Sequence, residues 1–502
     1  SRIVRRRLAP GLLLIATVAI AVGIAAGASR QPARAPFRRP SLLLVTLDTT
    51  RADHLGCYGD REAATPHIDG LARAGSLFRE VVSPAPLTLP SHCSLMTGLP
   101  PRRHGVRDNA LFHLGDGITT LASRLASAGY DTAAFVSAAV LDRRTGIDQG
   151  FRTYDDRVRV GERRAFNYEE RAASQVTSAA LEHLKGARAP FFLWVHYYDP
   201  HFPYVPPETY RSRFAGRLYD GEIAFVDESV GRLMEGLKQR GLEENCLVIV
   251  AGDHGESLGE HGENTHDVFI YQATQRVPLI LRGPRVPSGR IVTARVGLVD
   301  VMPTAVELLG LPPPKLPADA GRSLVPFLRV RRGLAGDYEM ESCFPAYNYG
   351  WSALHGLVSG RWKYIEAPRP ELYDIESDPS EKDNRIALEP AVASRMRSRL
   401  QGMLGPSGSL PRPDEPDEDA NEQRQRLASL GYLPGAAGGP PGKLALDPKD
   451  AIGLVSKIEE ARRDLQLGTP ADGVPLLEEV LKANPQNLPA MIEERGERSG
   501  RQ

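Results

Sequence analysis

Ser41-Leu-Leu-Leu-Val-Thr-Leu-Asp48 and Cys246-Leu-Val-Ile-Val-Ala-Gly-Asp253-His254 are the two stretches that decide the fold of this chain. Each is an apolar run that ends in an acid. A short continuous apolar run predicts a strand buried on both faces, as in a parallel sheet. Because ligands bind at the carboxyl ends of such strands, Asp48, Asp253 and His254 are predicted to meet at one site.

A hydroxyl group precedes a helix start between these runs, in Leu87-Thr88-Leu89-Pro90-Ser91-His92. Pro90 suits the first turn of a helix, so Thr88 is predicted at the positive end of the helix dipole. Two acids, a histidine and a hydroxyl can form a metal site with a built-in nucleophile. The alternative is that Thr88 only caps the helix. Its position between the two strand ends favours the nucleophile.

The composition is that of a globular protein, with 41% hydrophobic and 25% charged residues among 502. Lys plus Arg equals Asp plus Glu, at 62 each, so the charge balance indicates no nucleic-acid partner. The four cysteines form no CxxC pair, which argues against a cysteine zinc site. Their spacing leaves both disulfides and buried free thiols open.

An uncharged apolar stretch over residues 8–28 follows four arginines at positions 2, 5, 6 and 7. A length of about 20 residues fits a bilayer span. Residues 1–28 are therefore predicted to be a membrane anchor, with a cleaved signal peptide as the alternative. Both interpretations place the catalytic part outside the cytoplasm, in the periplasm or the extracellular space, and a cleaved chain would be secreted. Residues 29–39 form a Pro/Arg tether.

Strand and helix patterns alternate over residues 40–330, which predicts a doubly wound α/β domain with a mainly parallel sheet. The predicted elements are strands at 42–47, 131–136, 191–196, 247–251 and 277–281 and helices at 119–129 and 221–242. Residues 331–404 predict a small C-terminal α+β subdomain. Its predicted elements are a hairpin over 351–365, a strand at 371–375 and a helix at 391–404.

Residues 405–448 are rich in Pro, Gly and acids and predict a linker. The α-helical tail at 449–490 resembles one tetratricopeptide unit, and a polar segment follows at 491–502. About three such repeats are needed for a stable stack. A single unit implies truncation, docking onto the main domain or a marginal hairpin, and it can serve a protein partner or none.

Three stretches, taken in order, resemble the sulfatase family of the alkaline-phosphatase superfamily. They are Asp48-Thr-Thr-Arg51-Ala-Asp53, Thr88-Leu-Pro-Ser-His-Cys-Ser-Leu-Met-Thr-Gly98 and Asp253-His-Gly-Glu-Ser-Leu-Gly-Glu-His-Gly262. Shorter stretches such as Arg276-Val-Pro-Leu-Ile280 and Asp300-Val-Met-Pro-Thr304 fit as well. The resemblance covers about residues 40–400 and implies an alkaline-phosphatase-like fold and a sulfatase-like hydrolase.

The resemblance also implies roles for individual residues. Asp48, Asp253 and His254 match metal ligands, and Thr88 stands at the position of the family's formylglycine. Arg51 matches a residue that steadies the nucleophile.

Four histidines follow from the same resemblance. His92 stands where the family usually has an arginine. His196 and His201 match histidines that contact the anionic group of the substrate. His266 falls near the position of a substrate-binding lysine.

Two departures from the family pattern bear on the chemistry. Thr49 replaces a second acid, while His254 adds a nitrogen ligand, so one Zn²⁺ or Mn²⁺ ion is favoured, with Ca²⁺ as the alternative. Thr88 cannot become a formylglycine, and none is expected. In the family, the second hydroxyl of the formylglycine hydrate expels sulfate from the covalent intermediate. A sulfated threonine has no second hydroxyl, whereas a phosphothreonine beside a metal can be hydrolysed in line. Phosphoryl chemistry is therefore favoured over sulfate chemistry.

The predicted function is a metal-dependent hydrolase, or transferase, that uses Thr88 on phosphate or sulfate esters of glycans, lipids or small molecules. Arg51, His196 and His201 are predicted to offset charge, and His92 or His266 to protonate the leaving oxygen. One alternative is a sulfuric ester hydrolase acting on sulfated glycans or small sulfate esters. Another is a catalytically degenerate binding module that works with the tail. Glu256, Glu260 and His261 are interpreted as solvated loop residues.

Overall fold

The computed structural model describes residues 39–158, 171–329, 336–405, 410–413, 446–466, 470–485, 487 and 490. The predicted anchor, the tether before residue 39, most of the linker and the polar segment at 491–502 lie outside these ranges. No helix within them is long and apolar enough to cross a membrane.

Among the described residues, strands and helices alternate from residue 41 to residue 329, and a hairpin-rich segment and two helices follow. The strands are β1 Ser41–Leu47, β2 Ser76–Phe78, β3 Val81–Val82, β4 Asp131–Phe135, β5 Thr153–Asp155, β6 Phe191–Tyr197, β7 Cys246–Gly252, β8 Leu279–Arg282, β9 Arg290–Val292, β10 Val296–Gly297, β11 Tyr338–Ser342, β12 Leu354–Ser359, β13 Trp362–Glu366 and β14 Glu371–Asp374. The helices are α1 Pro66–Ala74, α2 Thr88–Thr97, α3 Pro101–His104, α4 Leu121–Ser127, α5 Ala173–Leu184, α6 Glu208–Arg213, α7 Leu218–Gln239, α8 Gln272–Gln275, α9 Val301–Leu308, α10 Val325–Arg329, α11 Phe344–Tyr349, α12 Pro390–Leu404, α13 Pro448–Gln466 and α14 Pro470–Ala483.

The large sheet has the strand order β5-β4-β6-β1-β7-β8-β2-β9. The first five strands in this order, β5, β4, β6, β1 and β7, are parallel to one another. Strand β8 runs antiparallel to both of its neighbours, β7 and β2. Alternate residues of the central strands enter two separate cores, one on each face of the sheet. This confirms the predicted α/β class, because only a sheet covered on both sides needs strands that are apolar throughout.

The C-terminal subdomain is an antiparallel sheet of order β11-β12-β13-β14, with α12 packed on it. The predicted hairpin, third strand and helix are all present within a few residues of their expected ends. The short strands β2, β3, β5, β9 and β10 were not predicted, because two or three residues carry no periodic signal.

The two tail helices pack on each other and dock onto the catalytic part of the chain. Ile458, Ala461 and Leu477 are buried in the same apolar cluster as Tyr349 and Trp351. Of the three arrangements left open for the tail, the structure shows docking. All four cysteines are free thiols, which removes the disulfide alternative.

Candidate active site

Asp48 and Asp253 meet because β1 and β7 are neighbours in register, with Leu47 opposite Gly252. Each aspartate directly follows its strand, and the backbone N–H of Asp253 donates to the carbonyl of Leu47 at 3.3 Å. Both side chains are fully buried. Among the described residues, neither carboxylate oxygen of Asp48 has a hydrogen-bond partner, and neither does Oδ2 of Asp253. Burial raises the pKa of both carboxyls.

His254 directs an unprotonated ring nitrogen, which accepts from the Thr88 hydroxyl, toward this pair. Its Nδ1–H donates to the carbonyl of Gly255 at 3.0 Å, so a neutral ring carries its lone pair on Nε2. That nitrogen lies 3.3 Å from Oγ1 of Thr88, 3.6 Å from Oδ2 of Asp253 and 3.7 Å from Oδ1 of Asp48. Burial lowers the pKa of His254 well below its usual value.

Thr88 is the first residue of α2, and Leu87 occupies the cap position. No side-chain capping hydrogen bond is present at this helix start, so Thr88 is not the N-cap of the alternative interpretation. Its hydroxyl faces His254 and is fully buried. The structure therefore brings Asp48, Thr88, Asp253 and His254 together. The strand ends predicted the two aspartates and His254, and the helix start predicted Thr88.

These four residues fit a divalent cation. Oxygens of Asp48 and Asp253 and a nitrogen of His254 all lie within 4.8 Å of one another. Unpaired buried carboxylates are costly, and a cation would supply the missing partner. A mixed nitrogen and oxygen donor set suits Zn²⁺ or Mn²⁺ better than Ca²⁺.

His92 lies next to the nucleophile with both ring nitrogens in hydrogen bonds. Nδ1–H donates to the carbonyl of Thr88 at 2.8 Å, and Nε2 lies 3.0 Å from Oγ1 of Thr46. Trp194 donates to the same hydroxyl oxygen at 2.9 Å, so Thr46 must donate to His92. Burial lowers the pKa of His92 to about 3. This geometry does not suit the predicted proton donor, because the one ring proton is held by a backbone carbonyl.

His196, at the end of β6, contacts the first aspartate. Its Nε2 lies 3.2 Å from Oδ2 of Asp48, and its Nδ1 lies 3.2 Å from the hydroxyl of Ser137. Burial lowers its pKa to about 3. The contact with the substrate's anionic group that the resemblance implies for His196 stays a prediction.

His201 and His266 form a buried pair beside His254, and they are 6% and 5% exposed. Their Nε2 atoms lie 3.1 Å apart, and the ring of His266 stands edge-on to His254. Nδ1 of His266 lies 2.7 Å from Oδ1 of Asp267. Burial lowers the pKa of His266, but the carboxylates of Asp267 and Glu256 outweigh it and raise the pKa to about 10.

Arg51 is directed away from the role that the resemblance implied. Its guanidinium makes four hydrogen bonds, to both oxygens of Asp53, to Oε1 of Glu260 and to the carbonyl of Glu256. The hydrogen bonds from its guanidinium to Glu256 and Glu260 thus stabilise the loop after β7. The interpretation of Glu256 as a solvated residue was wrong, because its side chain is fully buried. Burial raises the pKa of Glu256 to about 8.

Thr49, which replaces the second acid, has φ of 46°, an unfavourable value for a β-branched residue. Its hydroxyl donates to the carbonyl of Pro200 at 2.8 Å, and its carbonyl accepts from the hydroxyl of Tyr219 at 2.6 Å. The first bond ties the end of β1 to the loop that carries His201, and the second ties it to α7. Sequence reasoning found no signal for this clamp, for Ser137 or for Thr46, whereas Asp267 stands next to a candidate and could have been found.

Buried donor atoms at adjoining strand ends, with a hydroxyl at a helix start beside them, define an alkaline-phosphatase-like hydrolase. The family model described as Sulfatase matches residues 40–311, more than half of the chain. The chain belongs to the sulfatase family.

Known relatives agree with this family. An uncharacterized sulfatase, YidJ of Escherichia coli (strain K12), is 24% identical over 424 residues, which cover 70% of this chain and 84% of that protein. The choline-sulfatase of Rhizobium meliloti (strain 1021) is 26% identical over 69% of this chain and 82% of its own length. The crystal structure of the phosphonate monoester hydrolase of Agrobacterium radiobacter has a TM-score of 0.61 at 22% identity, and covers 73% of this chain and 96% of that one.

Proposed function

We propose that this chain is a metal-dependent ester hydrolase whose nucleophile is Thr88 and whose preferred substrates are phosphate esters. The observation that carries the proposal is the 3.3 Å hydrogen bond between Oγ1 of Thr88 and the unprotonated Nε2 of His254, beside unpaired carboxylates. A hydroxyl in that position can share a cation with the three other donors. When bound, the cation would favour ionisation of the hydroxyl and offset charge on the transferring group.

In the first half of the reaction, Thr88 releases its proton to solvent and Oγ1 attacks phosphorus in line. The bond from phosphorus to the leaving oxygen breaks, and His266 gives its Nε2 proton to that oxygen. In the second half, water attacks the phosphothreonine and Oγ1 departs. The now neutral His266 takes the proton from that water, and Oγ1 of Thr88 takes back a proton from solvent, which restores the starting state.

Chemistry favours phosphate here because a threonine ester offers no second hydroxyl to expel sulfate. Sulfate esters are the second candidate, since the chain belongs to the sulfatase family. Relatives that are named for sulfated sugars, such as the N-acetylgalactosamine-6-O-sulfatase of Bacteroides thetaiotaomicron, make sulfated glycans the substrates to test on that route. For both routes we propose an extracytoplasmic location, in keeping with the apolar stretch at 8–28.

A rate panel on the full chain tests the proposal. Aryl phosphate, phosphodiester, phosphonate and sulfate esters are supplied with Zn²⁺, Mn²⁺, Ca²⁺ or a chelator, and Thr88→Val serves as the matched control. We expect phosphate ester turnover with Zn²⁺ or Mn²⁺ that Thr88→Val lacks. Turnover of sulfate esters alone would move the assignment to the second candidate. If the wild type and Thr88→Val had equal rates on every substrate and no metal were bound, the enzyme proposal would be refuted in favour of a catalytically degenerate binding module.

A further inference from the structure

Arg295, in the segment between β9 and β10, is a buried arginine without an acidic partner. The residue is 7% exposed. Its Nη1 donates to the carbonyl of Gly360, and the guanidinium makes no ion pair within the described ranges. Nε and Nη2 are not sealed from solvent, so their hydrogens can reach a ligand. Burial lowers the pKa of Arg295, because Glu80 and Glu376 offset the cost of burial only in part.

The other buried arginines show that this arrangement is unusual for the chain. Among the described arginines, Arg51 and Arg171 are buried to a similar degree. Arg51 makes an ion pair with Asp53, and Arg171 makes one with Asp155. A buried charge is normally paired, because its removal from water is costly. Arg295 therefore lacks a partner that the two others have.

A cavity of about 620 Å³ opens beside Arg295, at the junction of the α/β domain and the C-terminal subdomain. We call it the junction pocket, and its polar lining residues are Glu80, Gln272, Arg276, Thr293, Arg295 and Glu376. Its volume is within the range of small-molecule sites, about 300–1,000 Å³. None of the residues that line it belongs to the candidate active site.

The acids of the junction pocket leave the charge of Arg295 largely uncompensated. Glu80 is engaged by Arg276, whose Nη2 lies 3.2 Å from Oε1 of the carboxylate. Glu376 is exposed, so solvent and salt screen its charge. Nε of Arg276 is buried and has no partner in the described part of the chain, which adds a second unmet donor beside the pocket.

We infer that the junction pocket binds a phosphate or sulfate group, free or carried by a sugar-sized molecule, and that Arg295 holds this group. A guanidinium offers a planar fork of N–H donors that matches two oxygens of such an anion. The anion would supply the partner that the buried charge lacks. Binding here depends neither on Thr88 nor on a metal ion, so failure of the proposed function would leave the inference unaffected.

The test is isothermal titration calorimetry of the full chain in the presence of EDTA. The chelator prevents turnover and leaves the candidate metal site without a cation that attracts anions. The probes are inorganic phosphate, inorganic sulfate, glucose 6-phosphate, glucose 6-sulfate and neutral glucose. We expect the wild type to bind anionic probes but not glucose. Tighter binding of the sugar esters would assign the pocket to a carried group, and equal binding of the inorganic anions to a free one.

Arg295→Gln should weaken anion binding by about 10-fold or more, as expected for the loss of hydrogen bonds from a charged group. Arg143→Gln is the matched control, because it removes an exposed arginine that is paired with Asp156 outside the pocket. Its affinity should stay near that of the wild type. Thermal unfolding without ligand reports whether each variant folds.

Thr293 gives a second pair of variants that leaves Arg295 in place. Its side chain is exposed and lines the pocket, so a substitution there spares the core. Thr293→Glu should weaken anion binding by repulsion, whereas Thr293→Gln, of similar size, should bind like the wild type. This pair carries the test if Arg295→Gln does not fold.

Three results would overturn the inference. The first is a wild type that binds no anionic probe, or that binds glucose equally well. The second is wild-type affinity in Arg295→Gln or in Thr293→Glu. The third is an equal loss in Arg143→Gln and Arg295→Gln, since it would reflect only the net charge of the chain.

Discussion

The Nε2 atoms of His201 and His266 lie 3.1 Å apart, and their neighbours determine where the proton sits. Nδ1–H of His201 donates to the carbonyl of Phe202 at 2.5 Å, so Nε2 of His201 is the acceptor. His266 must then be the donor through Nε2–H, while its other nitrogen is bound to Asp267. This order places a proton on Nε2 of His266, and His201 holds that proton until a leaving oxygen takes it.

The first prediction concerns Asp267, which has φ of 92° and holds His266 at 2.7 Å. Asp267→Ala should slow hydrolysis of alkyl phosphates by about 10²–10⁴, the usual contribution of a positioned acid. Aryl phosphates with good leaving groups need little protonation and should be affected much less. Rates for a series of leaving groups measure this difference.

Asp267→Asn is the control, since it keeps an oxygen acceptor and asparagine tolerates a positive φ. It should recover most of the rate on alkyl phosphates. A uniform loss across all leaving groups in Asp267→Ala would show that Asp267 is structural and does not position an acid.

The second prediction concerns metal binding and stability. Asp48 and Asp253 are buried with unpaired oxygens, so a cation that binds only the folded chain should stabilise it. Zn²⁺ at a hundred times its Kd should add about 2.7 kcal/mol to the free energy of unfolding, and a chelator should remove this gain. Differential scanning calorimetry measures the shift. Asp48→Asn should lose it, and an unchanged midpoint in the wild type would contradict a metal site.

The third prediction concerns Thr46, which accepts from Trp194 and donates to His92. Thr46→Val leaves two buried polar groups unpaired and should lower the free energy of unfolding by about 2–6 kcal/mol. Thr177→Val, which removes one buried bond to the hydroxyl of Tyr197, should cost less. Urea unfolding of both variants compares them. Equal losses would mean that the ring of His92 is not held through Thr46.

The fourth prediction concerns the tail, whose buried Leu477 shares a cluster with the C-terminal subdomain. Leu477→Ala should destabilise the chain by about 2–5 kcal/mol, as large-to-small core changes do. Leu388, which is 64% exposed, gives the control Leu388→Ala with little effect. A single unfolding transition, shifted only in Leu477→Ala, is expected. Two transitions, with the first assigned to the tail, would show that the hairpin is not part of the core.

The ends of the predicted strands were the sequence features that best predicted the fold and the candidate site. Apolar runs ending at Asp48 and Asp253 predicted two central strands of the sheet and the meeting of their donors, because parallel strands share one edge. Thr88 was found through the helix start beside it. These signals are local in sequence and follow from strand length and helix geometry.

What could not be predicted depends on partners far apart in the chain. From the sequence, Arg51 is interpreted as an anion-binding residue. The fold instead brings Glu260 to its guanidinium. The protonation of His196 depends on Ser137, 59 residues away, which no motif marks. Glu256 was misassigned because its loop is polar in sequence and is buried only by tertiary packing.

The most direct test of the central claim is mass spectrometry of Thr88 peptides from a reaction quenched during turnover of a poor phosphate ester with Zn²⁺. The account predicts a phosphate ester on Thr88, absent before substrate is added and absent in Thr88→Val. Turnover without any modified Thr88, or at the wild-type rate in Thr88→Val, would contradict it.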